Sequence, residues 1–144
     1  MHRYFVLGVA ILALATGIGL GLALRPALVK AESSEMVYEL RKYYANEGKA
    51  EALHTRFRDH TMTIFEKHGM KNIAYWTPIN PGADEADLVY IVAHASREQA
   101  DANWKAFSGD PEWQTVMKAS HVNGELVKKV ERLYLKPTDY SPMK

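Results

Sequence analysis

The stretch DLVYIVAHASREQADANWKAFSGDPEWQTV, Asp87 to Val116, decides the fold, because it runs from a strand through a capped turn into an interrupted helix. Its first nine residues put Leu88, Tyr90 and Val92 on one side of a strand and Val89, Ile91 and Ala93 on the other. Both sides are apolar, so both need cover. Ser96 then offers an N-cap, with Gln99 three residues on completing a capping box, and Ala100, Trp104 and Phe107 form the buried stripe of the helix. At about 100° per residue, Trp113, Val116 and Met117 would fall on nearly the opposite side of a continuing helix. The GDPEW interruption resolves that conflict. Gly109 is expected to end the first piece in a left-handed conformation, Asp110 to cap the next, and Pro111 to occupy its first turn, so that Trp113 faces the core as Trp104 does.

Outward from this stretch, MVYELRKYY (Met36 to Tyr44) reads as a strand ending at Asn46-Glu47-Gly48. Lys49 to His68 carries Leu53, Phe57 and Ile64 at helical spacing, and Gly69 stops it. NIAYWTPI (Asn72 to Ile79) pairs with Asp87–Ala95 as a hairpin across Asn80-Pro81-Gly82, and KKVERLYL (Lys128 to Leu135) is a last strand before a turn-rich tail. Strand, helix, strand, strand, helix, strand is the α+β ferredoxin-like βαββαβ order: a four-stranded antiparallel sheet with its helices on one face. Helices cover one side of the Asp87–Ala95 strand, so the side bearing Val89 and Ile91 calls for a second subunit, and a symmetric homodimer is the economical solution. Glu39 and Arg41 share one face of the first strand, opposite Tyr38 and Leu40. On a partner-facing side they would have to pair and so set dimer register; on an exposed side they would be a solvated pair of little energetic value.

The chain of 144 residues, 47% hydrophobic, is long enough for one domain with its own core. Arg3, Arg25 and Lys30 all precede the first acid, Glu32, so residues 32–144 hold 15 basic against 17 acidic residues. That balance leaves no electrostatic footprint for nucleic acid. There is no cysteine, which excludes disulfides, thiol nucleophiles and thiolate metal sites. Residues 1–31 have the layout of a secretory signal: Arg3, an uncharged apolar run from Tyr4 to Leu24, Pro26, and Val29-Lys30-Ala31 as a small-x-small cleavage site. The expectation is an exported, periplasmic or secreted domain of residues 32–144. Left uncleaved, residues 4–24 would serve as a membrane anchor.

Taken together, Tyr38-Glu39-Leu40-Arg41-x-Tyr43, the His68-Gly69 helix end, the Trp76 strand, Asp110-Pro111-Glu112-Trp113 and Leu135-x-Pro137-Thr138-x-Tyr140-Ser141-Pro142 resemble the NIPSNAP family. The resemblance spans nearly all of residues 36–142. It implies a ferredoxin-like domain of the dimeric α/β barrel group, without a defined molecular activity. Eukaryotic relatives are associated with mitochondria and vesicle or mitophagy signalling, a setting from which a secretory-type N-terminus departs. Other branches of the group use the cavity between helices and sheet for chemistry. The resemblance thus implies two readings: a dimeric domain that binds a small hydrophobic or aromatic ligand or a partner, or a cofactor-independent oxygenase or haem-binding enzyme.

The residues that could serve such a cavity are few. His60 falls within the stripe of Leu53, Phe57 and Ile64, with His68 near its edge. A histidine facing a cavity can act as acid, base or ligand, although on an apolar face it is ordinarily a hydrogen-bonded core residue. In the enzyme reading His60 is the candidate base. Tyr75, Trp76, Tyr90 and His94 would line the pocket from the hairpin, and Trp104 and Trp113 from the interrupted helix. No metal is expected: His60 and His68 are eight apart, with no His-Glu-x-x-His pair. No G-x-S-x-G elbow and no phosphate-cradling loop is present.

Overall fold

A computed structural model describes residues 36–79 and 85–143; the expected signal or anchor of residues 1–31 and the expected turn at Asn80-Pro81-Gly82 lie outside the described residues. The elements are β1 (Val37–Ala45), α1 (Ala50–Arg56), a π-helical turn (Phe57–Thr61), α2 (Met62–Lys67), β2 (Lys71–Trp76), β3 (Leu88–His94), α3 (Arg97–Gly109), α4 (Pro111–Ser120) and β4 (Val127–Leu135). The strands form one sheet in the order β2-β3-β1-β4, with every neighbouring pair antiparallel. This is the ferredoxin-like arrangement expected from the element order.

The two faces of the sheet follow from the period of two along each strand. Glu39, Arg41, Tyr43 and Ala45 of β1 share the helix side with Leu88, Tyr90, Val92 and His94 of β3. The core gathers there around Leu53, Phe57, Ile64, Phe65, Met70, Tyr90 and Phe107. Tyr38, Leu40, Val89, Ile91, Leu133 and Leu135 occupy the opposite face. The face bearing Glu39 and Arg41 is therefore the helix side, not the side open to a partner subunit. On the open face the C-terminal tail lies beside Tyr38 and Ile91, forming a shallow cleft with Pro137, Thr138 and Met143. Leu133 is nevertheless 56% exposed and Trp76 50%.

Two local features depart from the sequence expectation. Gly109 does not take a left-handed conformation; the described glycines with positive φ are Gly48, Gly69 and Gly124. Asp110 ends α3 instead, by turning to extended backbone (φ −69°, ψ 123°) while its side chain accepts from the Glu112 N–H at 2.7 Å to start α4. The second departure is the π-helical turn. The Met62 N–H donates to the Phe57 carbonyl five residues back, so this turn holds one residue more than an α-helical turn would. The extra residue rotates everything after it. Thr61 faces the core, and His60, expected within the buried stripe, is exposed.

Candidate functional site

Two polar centres lie between helices and sheet. The first is built on Glu39, fully buried at 0% exposure in mid-β1. Its Oε1 accepts from Arg41 Nε at 2.8 Å, and its Oε2 accepts from Trp104 Nε1 at 2.5 Å and from His94 Nε2 at 3.1 Å. Asn103 donates through its amide to Gly69 O and to His94 Nδ1, which assigns the His94 proton to Nε2 and aims it at Glu39. Arg41 sits 3.7 Å above the Trp104 ring centre. Burial drives the Glu39 carboxyl up, but the hydrogen bonds from His94, Arg41 and Trp104 and the Arg41 charge overcome it and hold the group at about 2. Burial also opposes the charge on Arg41; Tyr43, Tyr90 and Glu39 outweigh it and keep the guanidinium above its ordinary range. Carboxylate and cation thus complete each other.

The second centre is a cavity of about 250 Å³ roofed by α4. Tyr43, Phe57, Phe65, Phe107 and Trp113 supply aromatic walls, and Val127 and Val130 close the β4 side. Arg56, at the end of α1, is only 6% exposed and lines it. Its Nη1 donates to Ser120 Oγ at 3.1 Å and to His121 Nε2 at 3.4 Å, while its buried Nε–H has no acceptor among the described residues. The Trp113 ring centre lies 5.2 Å from its guanidinium carbon. No carboxylate among the described residues forms an ion pair with Arg56, and burial pulls its pKa below the ordinary value. The Tyr43 hydroxyl accepts from Arg41 Nη1 and from the Tyr90 hydroxyl, which leaves its own proton to donate elsewhere. Arg56 also lines an outer groove between α1 and α4, so the one residue borders both spaces.

The residues singled out from the sequence distribute unevenly over these centres. His94 and Trp104 converge on Glu39 and Arg41, and Trp113 lines the Arg56 cavity. Tyr75 stacks on Tyr90 within the core, ring centres 5.2 Å apart. Trp76 does not join Tyr75, because adjacent strand residues point to opposite faces. His68 is taken up by Asp110, 2.6 Å away, which also pairs with Lys67 at 2.8 Å. Asp110 therefore ties the end of α2 to the start of α4, the cation-rich and anion-preferring helix ends respectively. His60 lies on the wall of the outer groove with Glu51, Thr55 and Ser120 and does not line the inner cavity. Val89 and Ile91 are half-buried on the open face. Among the described residues no cluster of three metal-ligating side chains exists, and no helix is long and apolar enough to cross a membrane. Sequence reading missed Arg56, although a charged residue three positions after Leu53, inside an apolar stripe, was the available signal.

The NIPSNAP family model matches residues 38–142. The chain belongs to the NIPSNAP family. Among solved structures, the domain is similar to a NIPSNAP family protein from Agrobacterium tumefaciens strain C58, at 22% identity over 76% of this chain and 100% of that one, with a TM-score of 0.65. An uncharacterised NIPSNAP-like domain protein from Burkholderia xenovorans gives 19% identity, 76% and 90% coverage and a TM-score of 0.64. A dimeric protein of unknown function with a ferredoxin-like fold, from Bacteroides fragilis, gives 10% identity, 70% and 95% coverage and a TM-score of 0.50. Such distances establish the NIPSNAP fold and leave activity to be argued from the site. No curated protein matches the chain.

Proposed function

We propose that this NIPSNAP domain is an exported, homodimeric binding protein, each protomer of which holds a small organic ligand in the cavity beneath α4. The observation that carries the reading is Arg56: a buried cation that no carboxylate among the described residues pairs, lining an aromatic-walled cavity. Buried charges are ordinarily paired, and an idle one at a cavity wall points to a partner supplied from outside. Mass spectrometry of the purified protein, native and then denatured, tests it. A released organic molecule is the expected outcome. Protein free of any ligand, with no thermal shift across a panel of small ring compounds, would contradict it.

The dimer follows from the open sheet face, where Leu133 and Trp76 stand half-exposed beside Leu40, Val89 and Ile91. Sheet packed on sheet through this face would remove them from water. The Bacteroides fragilis protein of similar fold is described as dimeric, which supports a dimer here without indicating its interface. Sedimentation is expected to give twice the protomer mass, and Leu133→Asp with Trp76→Asp to give a monomer; a monomeric wild-type protein at micromolar concentration would overturn it. Export with cleavage after Ala31 is expected to return Glu32 on N-terminal sequencing, whereas an intact Met1 chain in the membrane fraction would mean an anchor.

A further inference from the structure

Resting on the ligand-binding reading above, we infer that the cavity selects a compact monocarboxylate carrying a flat apolar body, with Arg56 as the anchor for its carboxylate. Three features of the cavity define that class. The first is charge. Arg56 is held by Ser120 and His121 through Nη1, and the Nε edge of the same planar fork lacks an acceptor. With Nη1 bonded and Nε enclosed, Nη2 is the guanidinium end left to meet a carboxylate in the cavity, and the Tyr43 hydroxyl has a proton left to donate.

The second feature is shape. Phe57, Phe65, Phe107 and Trp113 wall the cavity, and its volume of about 250 Å³ lies below the roughly 300–1,000 Å³ typical of larger ligands, so one ring fits better than a fused system. The third is the limit on charge. Arg56 is the one arginine or lysine among the lining residues, with exposed Glu125 also among them, so a single negative charge is matched and a second is not, which favours a monocarboxylate over a phosphate.

The π-helical turn is an independent pointer to this place. It begins immediately after Arg56, and it supplies Phe57 and Thr61 to the cavity while the Thr61 hydroxyl donates to the Arg56 carbonyl at 3.1 Å. Such turns strain an otherwise regular helix and recur at functional sites. Here the turn fixes the end of α1 where Arg56 leaves it.

Benzoate and its neutral isostere benzamide, titrated calorimetrically into the full chain in whichever form, processed or intact, it accumulates in the cell, test the inference. Benzoate is expected to bind, and benzamide about ten- to a hundredfold more weakly, the value of a charge-assisted hydrogen bond. Arg56→Met is expected to remove the preference, and Arg56→Lys, which keeps the charge without the fork, to recover only part of it. The Arg56 Nε–H resonance is expected to move on adding benzoate and to be missing in Arg56→Met. Equal binding of the two probes to the wild-type protein, or an unmoved Arg56 resonance, overturns the carboxylate assignment and leaves the cavity reading standing. Binding of neither probe overturns both.

Discussion

Arg41 and Arg56 are the same residue type in nearly the same surroundings: both are largely buried, both lie over a tryptophan ring, and both stand close to Tyr43. They differ in what answers their charge. Arg41 has Glu39 at 2.8 Å, inside a network in which His94, Asn103 and Trp104 are also satisfied. Arg56 has a serine, a histidine and an idle Nε. A closed network rigidifies the fold and has nothing left to offer a ligand. An open one beside a cavity is a binding site held ready at some loss of stability, the usual relation between function and stability.

The contrast breaks most visibly at Glu39. Glu39→Ala strands Arg41 without its carboxylate and takes the acceptor from His94 and Trp104, so a loss of about 3–5 kcal/mol is expected in urea unfolding. A loss below about 1 kcal/mol would mean that the network is not structural. Trp104→Phe keeps the ring over Arg41 and removes one charge-assisted donor, with an expected loss of about 1.5–3 kcal/mol. Acid sharpens the same point. The Glu39 carboxyl is depressed in the folded state, to about 2 from 4.5, so its contribution is complete above pH 4.5 and is lost as pH falls from 4.5 towards 2. Unfolding midpoints measured over that window are expected to fall more steeply for the wild type than for Glu39→Gln.

How far the sequence discloses all this depends on which period governs each residue. The strands and their order were legible as β-branched and aromatic runs bounded by turn residues, with alternation clear in β4, and Asp110-Pro111 announced the helix break through cap chemistry. Alternation placed Glu39 and Arg41 together on one face but could not say which, since tyrosines stand on both faces of β1 at Tyr38, Tyr43 and Tyr44. The other partners of Glu39, His94 and Trp104, are 55 and 65 residues away in sequence, beyond any local pattern. His60 was misplaced for a different reason. A period of 3.6 puts it in the stripe with Leu53, Phe57 and Ile64, and only the extra residue of the Phe57–Thr61 turn rotates it out and Thr61 in. The same turn lies at Arg56, so the feature that defeats the periodic reading also marks the candidate site.

The most direct test of the contrast is the unfolding free energy of Arg56→Met against the wild type, in the absence of ligand. Methionine fills similar space without the charge, Ser120 Oγ keeps its bond to the Met117 carbonyl, and half-exposed His121 can turn to water. Stability is therefore expected to rise, or to fall by no more than about 0.5 kcal/mol. A loss of about 3 kcal/mol or more, matching that of Glu39→Ala, would show that Arg56 is a structural cation like Arg41 and would contradict the assignment of its cavity to a ligand.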